Sequence, residues 1–325
     1  SEVAPRIREL VAALFHDVPC GLGSSGAIGK LSHIELAEVA REGASWAVAR
    51  GYGSEGDLDR TEERGKLGGA DPDLVSSRAM KRGLNQLGTL GSGNHFMELG
   101  YVEEIFDDAA ARVFGLVRGS VTLFIHSGSR GFGYQICDDY LDVMQNSVSR
   151  YGIELPDRQL ACVPVESDEG RRYLSAMACA ANYAWANRQV MMALAKRSLA
   201  RVMGRSEEKL GLRLLYDVCH NIAKMETHVV DGRPRRLCVH RKGATRAFPR
   251  DHDDVPAVYR SVGQPVLVPG DMGSESYVCS GTEPAMKETF GSTCHGAAGL
   301  CRVRERRRRR RAETSMRRWP RPASS

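Results

Sequence analysis

The chain has 325 residues, of which 42% are apolar and 26% are charged, as expected for a globular protein with a large core. No run of apolar residues approaches the roughly 20 that a membrane-spanning helix needs, and the start of the chain does not resemble a signal peptide. The nine cysteines include no Cys-x-x-Cys pair, which favours reduced thiols over a disulfide framework. We therefore expect a cytoplasmic protein with no membrane partner.

The positive charge of the chain is concentrated at its end. Of 46 Lys and Arg and 40 Asp and Glu, residues 298–325 contain 11 basic and 2 acidic residues. Residues 1–297 therefore hold 35 basic and 38 acidic residues, a formal net charge of −3. Any RNA affinity of this part must come from local clusters of cations or bound metal ions, because it has no overall positive field.

Apolar spacing predicts helices in the first and middle parts of the chain. Residues 5–15 place apolar side chains at the spacing of an amphipathic helix. Ser32 and Glu35 have capping-box spacing, and an apolar stripe continues from them until Gly51, which predicts a second helix. Residues 51–93 are rich in glycine and charge and are predicted to form loops and short helices. Residues 171–203, rich in Ala and Leu, predict a long helix that ends at Gly204.

Strands are predicted between these helical segments. Residues 121–125, 213–218 and 264–268 are short apolar runs typical of strands. Residues 227–230 and 235–239 predict a hairpin, because Asp-Gly between them supplies positive φ angles. Helices and strands do not alternate regularly, so we expect an α+β fold, a single compact domain of mixed sheets with surrounding helices over residues 1–297.

Residues 298–325 differ in composition from the rest of the chain. They include six consecutive arginines at 306–311, followed by a segment rich in Pro, Arg and Ser. Such a segment could be a basic arm that contacts phosphates, or an out-of-frame translation of GC-rich DNA. We favour the second interpretation and expect no ordered core there.

Four histidines lie in settings suited to metal or phosphate chemistry: His95, His126, His220 and His295. Three of them follow a strand-like run or lie in a glycine-rich turn. Neutral imidazole is the commonest metal ligand, and ligands at separate strand ends can converge on one ion. Spacing alone leaves open that each is a hydrogen-bonded structural histidine.

Two further patterns are suited to phosphate binding. Glycines around His126 and in residues 270–273 could expose main-chain N–H groups, although ordinary tight turns give the same pattern and neither matches a Walker or dinucleotide-binding spacing. Residues 240–246 concentrate three cations and a glycine, which suits phosphate anchoring or a solvated charge cluster.

Together these segments resemble the RtcB family of RNA ligases, over about residues 3–297. The resemblance rests on LGTLGSGNHFME at 87–98, HSGSRG at 126–131, AANYAWANRQ at 180–189, HNIAK at 220–224, VHRKGATRAF at 239–248, PVLVPG at 265–270, GTE at 281–283 and ETFGSTCHG at 288–296. So many matches in the same order make the resemblance far more specific than any single motif.

The resemblance implies a chemistry and a set of site residues. It implies that His95, His126 and His220 are ligands of two Mn²⁺ ions, and that His295 attacks the α-phosphate of GTP to form a histidine–GMP intermediate. The guanylate would pass to an RNA 3′-phosphate, including one derived from a 2′,3′-cyclic phosphate, and a 5′-hydroxyl would then displace it, in tRNA splicing or RNA repair. The remaining implied contacts are Asn94, Glu98, Ser276, Gly296 and Ala297 for the nucleotide, and Arg130, Arg241 and Lys242 for RNA or triphosphate oxygens.

The sequence departs from the family pattern in three places. The family has an Asp-x-x-Cys segment just before the point that corresponds to Ser1, and neither of those ligands is present here. After His295-Gly-Ala the family pattern gives way to the arginine-rich segment, as a reading-frame shift near Ala298 would produce. Tyr134 stands where the family pattern has His. We therefore expect a ligase domain that is incomplete at both ends.

Activity is a separate question from ancestry. One alternative is a non-catalytic nucleotide- or RNA-binding remnant of a ligase. Another is a metal-dependent phosphodiesterase that opens RNA 2′,3′-cyclic phosphates. An archease-like activator is a further partner that the resemblance suggests.

Overall fold

The computed structural model describes residues 2–21, 23–157, 160–270 and 274–296. Its elements are mixed helices and short antiparallel sheets, which confirms the expected α+β class. The described helices are α1 (Ile7–Asp17), α2 (His33–Glu42), α3 (Ala44–Ala49), α4 (Glu55–Leu58), α5 (Ser77–Gly83), α6 (Asp108–Phe114), α7 (Arg130–Ser147), α8 (Asp168–Met203), α9 (Glu207–Leu210) and α10 (Glu283–Thr289). None of these helices has the length and apolar composition that a membrane span requires.

The described strands form four antiparallel pairs. They are β1 (Phe96–Tyr101) with β2 (Val121–His126), β3 (Asn221–Val230) with β4 (Arg233–Lys242), β5 (Ala244–Arg246) with β8 (Ser292–Cys294), and β6 (Pro265–Val268) with β7 (Tyr277–Ser280). The β3–β4 hairpin confirms the predicted one and is longer, because its ladder continues to the pair Asn221 and Lys242.

Helix α8 is the central element of the fold. Ser167 caps its start by accepting a hydrogen bond from the Gly170 N–H at 3.0 Å, and Gly204 ends it in the left-handed conformation. The helix begins three residues before the predicted span, and α1, α2, α3 and α7 pack against it. Tyr183 and Trp185 are fully buried in two separate clusters of the core on either side of the helix.

The prediction of a single helix from Ser32 to Gly51 is wrong, because the segment forms two helices. The capping box at Ser32 and Glu35 is present, but the helix stops at Gly43 and α3 begins directly after it. Gly43 has φ of 59°, and a Cβ there would collide with the carbonyl oxygen of Gly65. The chain therefore turns at Gly43 to let the loop at Gly65 approach closely.

The prediction of a strand at residues 213–218 is also wrong. In the described part of the chain this segment makes only an isolated bridge, between Asp217 and Thr61. Its polar and aromatic side chains are used for buried contacts instead: Tyr216 is 4% exposed, and the Asp217 carboxylate pairs with Arg188. A local apolar pattern does not supply the neighbouring strand that a sheet requires.

Candidate active site and metal centre

Three of the four predicted histidines converge on one point. The Nε2 atom of His126 lies 3.3 Å from Nε2 of His220 and 3.3 Å from Nε2 of His295. The ligand atoms of the three rings all lie within 4.8 Å of one another. These residues are far apart in sequence, so the convergence is a property of the fold.

Main-chain hydrogen bonds at the root of the β3–β4 hairpin join two of these histidines. Gly243 follows β4, and its N–H donates to the carbonyl oxygen of His220 at 2.8 Å. The Gly243 carbonyl oxygen accepts from the N–H of His295 at 3.1 Å, where β8 ends beside β5. His220 and His295 are therefore held to the same residue. Their rings are stacked with centroids 3.9 Å apart.

The buried amide of Asn187, on α8, holds the loops around the first two histidines. Its Oδ1 accepts from the N–H groups of Gly88 at 2.7 Å and Thr89 at 3.1 Å. Its Nδ2 donates to the carbonyl oxygens of Thr89 at 3.2 Å and Gly128 at 3.0 Å. One side chain thus fixes the segment before His95 and the segment after β2 to the same helix turn.

Arg188, the next residue on α8, holds the segments on either side of the histidine cluster. Its Nε donates to Asp217 at 2.7 Å, one Nη to the carbonyl oxygen of Ser127 at 3.2 Å and the other to the Cys219 sulfur at 3.5 Å. Ser127 follows the histidine of β2, and Cys219 precedes His220. The guanidinium is about one-tenth exposed, so it acts as a buried cross-link between these two segments.

His95 lies beside the cluster of three rather than within it. Its ring centroid is 5.7 Å from that of His126, and β1, which starts at the next residue, pairs Phe96 with His126. The Nδ1 atom of His95 is 2.9 Å from the carbonyl oxygen of Leu90. A carbonyl only accepts, so the proton lies on Nδ1 and Nε2 keeps its lone pair, as in many metal-binding histidines.

Burial keeps these imidazoles neutral. Burial, with the neighbouring His295, lowers the pKa of His126 to about 4 and that of His220 to about 2. Burial also lowers the pKa of His95 and that of His295, and Arg188 adds to the effect at each. At neutral pH all four rings therefore have a free nitrogen lone pair, which is the form that binds a metal or attacks phosphorus.

The arrangement fits a divalent metal ion. Three imidazole nitrogens face one another, with Nε2 of His126 3.3 Å from Nε2 of both neighbours, so a divalent cation can accept one lone pair from each ring when the proton of each ring lies on its other nitrogen. In addition, Nδ1 of His295 is buried and has no hydrogen-bond partner among the described residues. Imidazole nitrogens suit first-row divalent ions in general, so this donor set does not by itself select Mn²⁺ over Zn²⁺.

Two of the predicted nucleotide-binding residues, Glu98 and Ser276, are in contact with each other. The Ser276 hydroxyl is 3.4 Å from the Glu98 carboxylate and accepts from the Gly270 N–H at 3.0 Å. Asn94 is exposed, and its main chain bonds to the His126 ring. Gly296 directly follows His295 and is half-buried, whereas Ala297 lies outside the described residues.

Arg130 and Lys242 differ in their exposure and in their hydrogen bonds to the rest of the protein. Arg130 is half-buried, and its guanidinium donates to the hydroxyls of Thr89 at 3.0 Å and Ser24 at 3.2 Å. Lys242 is exposed at the end of β4. Tyr134, the residue in place of the family's histidine, is 66% exposed on α7 and lies under the guanidinium of Arg82.

Arg241 is not in a position to contact RNA. It is 2% exposed, and its two terminal nitrogens bond to the Glu226 carboxylate at 2.6 and 2.8 Å. The same guanidinium donates to the Ser292 hydroxyl at 2.9 Å and to the Phe290 carbonyl oxygen at 3.0 Å. Ser292 begins β8, so Arg241 fixes the strand that ends directly before the predicted nucleophile, His295.

Sequence reasoning missed the residues that support the site from α8 and the loop at 62–63. Asn187 and Arg188 were noted only as part of a matching stretch, although polar residues within a long apolar helix are a signal of buried hydrogen bonding. Glu62 and Glu63 form a second buried network with Lys224 and Arg246, with contacts of 2.8 to 3.6 Å. These ion pairs join residues more than 160 positions apart, so no local sequence pattern indicates them.

Known proteins match this chain over most of its length. A family model described as "RtcB: tRNA-splicing ligase RtcB" matches residues 1–319. The chain is 55% identical over 296 residues to tRNA-splicing ligase RtcB of Archaeoglobus fulgidus, covering 91% of this chain and 61% of that protein. The proteins of the same name from Methanococcus maripaludis and Thermococcus kodakarensis are 53% identical over 305 residues and 52% over 299 residues.

These alignments cover 94% and 92% of this chain and 63% and 62% of the two relatives. The chain thus spans about three-fifths of the length of these curated relatives. The family match and the level of identity show that the chain belongs to the RtcB family.

Proposed function

We propose that this chain is a GTP- and Mn²⁺-dependent RNA ligase that joins a 3′-phosphate or 2′,3′-cyclic phosphate end to a 5′-hydroxyl end. The observation that carries the proposal is the convergence of the His126, His220 and His295 nitrogens in a partly buried, neutral cluster. Membership of a family whose named relatives are tRNA-splicing ligases supplies the reaction class.

His295 is the proposed nucleophile. Its unprotonated nitrogen attacks the α-phosphorus of GTP, a P–N bond forms, the bond to the bridging oxygen breaks, and pyrophosphate leaves. The RNA 3′-phosphate then displaces His295 and takes the guanylate. Finally the 5′-hydroxyl attacks the 3′-phosphorus, loses its proton, and expels GMP as the new phosphodiester forms.

His95, His126 and His220 are the proposed metal ligands. A divalent cation held there would neutralise phosphate oxygens and polarise the phosphorus under attack. The chain's own contribution is placement, because Asn187 and Arg188 fix the loops that carry the ligands. Close, aligned reactants account for a large part of the barrier reduction in phosphoryl transfer.

The outer parts of the site receive the nucleotide and the RNA in this proposal. The Glu98 carboxylate would bind the guanine, and Ser276, whose hydroxyl lies 3.4 Å from that carboxylate, would be a further nucleotide contact. Asn94 would contact a phosphate of the nucleotide. Gly296 and Ala297 would offer main-chain groups beside the nucleophile. The RNA phosphates would contact Arg130 and Lys242, and an archease-like protein remains the proposed activator.

Covalent labelling tests the proposal. The 325-residue chain is incubated with Mn²⁺ and GTP labelled at the α-phosphate, and acid-labile label on the protein is the expected result. His295→Ala should lose the label, whereas His33→Ala, at an exposed position on α2, should keep it. GTP binding without label would favour a non-catalytic remnant, and opening of a cyclic phosphate without label would favour the phosphodiesterase.

A further inference from the structure

The main chain at residues 62–65 forms a strained turn. Glu63 and Arg64 both have positive φ, 53° and 52°, and Gly65 follows with φ of 74°. Residues with a Cβ rarely adopt this conformation, and they normally do so singly. Gly65 lies against the start of α3, where a Cβ on it would collide with the Cβ of Ala44. Such strain persists only where the surrounding structure enforces it, often beside functional residues.

The turn directs two carboxylates at the same buried cation. Nζ of Lys224, on β3, lies 2.8 Å from Oε1 of Glu62 and 2.8 Å from Oε1 of Glu63. The Arg246 guanidinium, on β5, donates to Glu63 at 2.8 Å, and its Nε lies 3.6 Å from Glu62. Glu62, Lys224 and Arg246 are 1%, 6% and 2% exposed. Burial alone would raise the pKa of Glu62, but Lys224 and Arg246 outweigh burial and hold that pKa below its ordinary value.

Glu62 also bonds to the segment that leads to His220. Its Oε2 accepts a hydrogen bond from the Cys219 N–H at 3.1 Å. Its own N–H donates to the Asp217 carbonyl oxygen at 2.9 Å, and the Asp217 N–H donates to the carbonyl oxygen of Arg60 at 3.1 Å. Cys219 is the residue directly before His220. The Glu62 carboxylate therefore holds main chain that adjoins a proposed metal ligand.

We propose that Glu62 is a positioning residue that fixes the main chain of His220 for metal binding, an inference that rests on the metal centre of the proposed function. One of its carboxylate oxygens lies against Lys224 and the other accepts from Cys219, so the buried ion pair holds the acceptor at the Cys219 N–H. Neighbouring groups that orient an imidazole ligand strengthen metal binding. Since Nε2 of His220 lies 3.3 Å from Nε2 of His126, a small shift of the main chain would move it out of the cluster.

Glu63 provides a matched control. It pairs with the same two cations, but none of the hydrogen bonds and ion pairs described for it reaches the segment before His220. Glu62→Gln and Glu63→Gln each remove one carboxylate from the same network. In Glu62→Gln the amide has one oxygen for two donors, the Lys224 ammonium and the Cys219 N–H, so one of them loses its acceptor.

Mn²⁺ affinity separates positioning from general stabilisation. It is measured by electron paramagnetic resonance on the full chain, well below the melting temperature of each variant. Glu62→Gln should bind Mn²⁺ about 10- to 100-fold more weakly than the parent, the usual effect of removing a group that orients a metal ligand. Glu63→Gln should keep the parent's affinity, although both variants lose stability.

Amide hydrogen exchange tests the same contact without metal. The chain is labelled with ¹⁵N-cysteine, so that its nine cysteines give the main-chain signals, and Cys219→Ala assigns one of them to Cys219. The Cys219 amide should exchange about tenfold faster in Glu62→Gln than in the parent, because its hydrogen bond to a charged acceptor is lost. In Glu63→Gln it should exchange at the parent's rate.

Glu62→Asp decides the matter if Glu62→Gln does not fold. It keeps the charge but is one methylene too short to reach both Lys224 and Cys219, so its Mn²⁺ affinity should also fall. Parent-like affinity in a folded Glu62 variant, equal losses in the Glu62 and Glu63 variants, or no Mn²⁺ binding by the parent would overturn the proposal. Unfolding of both Glu62 variants would assign Glu62 to stability alone and would also overturn it.

Labelling by GTP distinguishes this inference from the ligase function on which it rests. If the parent binds Mn²⁺ in a Glu62-dependent manner but is not labelled, the ligase proposal fails and the role of Glu62 stands. If the parent is labelled and Glu62→Gln binds Mn²⁺ as the parent does, only the role of Glu62 is contradicted.

Discussion

The ring of His295 lies stacked on the ring of His220, with centroids 3.9 Å apart and planes 15° apart. The proposed nucleophile is thus in direct contact with a proposed metal ligand. Both rings are neutral because burial lowers their pKa values. The same contact that fixes the orientation of His295 also places it where a cation bound by His220 would act on the phosphate under attack.

Replacing Arg188 should damage both stability and metal binding. Arg188→Met leaves the Asp217 carboxylate buried without its partner and frees the segments at Ser127 and Cys219. We expect a loss of about 3 kcal/mol in the free energy of unfolding and weaker Mn²⁺ binding. Denaturant titration and metal titration measure the two effects.

Arg197→Met is the control for that experiment, because Arg197 is exposed on the same helix and its contacts, a hydrogen bond to the Gly51 carbonyl oxygen and the ring of Tyr52, involve no charged partner. It should change neither quantity by much. If Arg188→Met binds Mn²⁺ as tightly as the control variant does, then Arg188 does not position the metal ligands.

Arg241 should behave as a structural residue and Lys242 as a surface residue. Arg241→Met breaks the buried pair with Glu226 and should cost about 3–5 kcal/mol of stability. The double variant with Glu226→Met should recover part of this loss, since no charge is then left buried alone. Lys242→Met, at an exposed position, should leave the unfolding free energy within about 0.5 kcal/mol of the parent.

A stable Arg241→Met protein would contradict this assignment and would return Arg241 to the surface role that the sequence suggested. Denaturant unfolding of the four proteins, followed by circular dichroism, gives the answer. The period of β4 already contained this information: in a strand, neighbouring residues face opposite sides, so Arg241 and Lys242 cannot both face solvent on one covered sheet.

Features that depend on local sequence could be predicted, and features that depend on distant segments could not. The hairpin was predictable because Asp231 and Gly232 both adopt positive φ, a local property. The histidines of the site were selected from local settings and from the family resemblance, and three of them do converge. The break at Gly43 and the absence of a strand at 213–218 were not predictable, because each depends on a distant segment, at Gly65 and Arg188 respectively.

Gly43 and Gly51 illustrate two different reasons for a glycine: a positive φ angle, and a lack of space for a Cβ. Both have positive φ, 59° and 80°, but a Cβ on Gly43 would meet the Gly65 carbonyl oxygen whereas a Cβ on Gly51 would meet nothing within 4 Å. Gly51→Ala should cost about 1 kcal/mol of stability from backbone strain alone. Gly43→Ala should cost at least about 2 kcal/mol more, since overpacking adds to that strain. Equal losses in thermal or denaturant unfolding would show that the close approach to Gly65 is unimportant.

Asp17 should make part of the stability depend on pH. Burial alone would raise its pKa, but hydrogen bonds from Ser198, His16 and Arg201 outweigh burial and hold the pKa at about 2. A lowered carboxyl pKa stabilises the folded state above the unfolded value of 3.8, and this contribution is lost as pH falls from there towards 2.

Asp17→Asn should therefore be less stable than the parent by about 1–2 kcal/mol at pH 6, and the difference should shrink as pH falls below 3.8. Asp168→Asn is the control, because Asp168 is 72% exposed and lies 3.8 Å from Arg172. It should change stability little at any pH. A difference between Asp17→Asn and parent that stays constant from pH 6 to below 3 would contradict the predicted origin.

The convergence of His126, His220 and His295 on a cation is tested most directly by electron paramagnetic resonance of Mn²⁺ added to the 325-residue chain. The parent should bind Mn²⁺ with nitrogen couplings from imidazole, His126→Ala and His220→Ala should each lose that signal, and the surface variant His33→Ala should retain it. Zn²⁺ should displace the bound Mn²⁺, as expected of a site rich in nitrogen ligands. Nitrogen-coupled Mn²⁺ that persists in both His126→Ala and His220→Ala would contradict a metal centre built on these histidines.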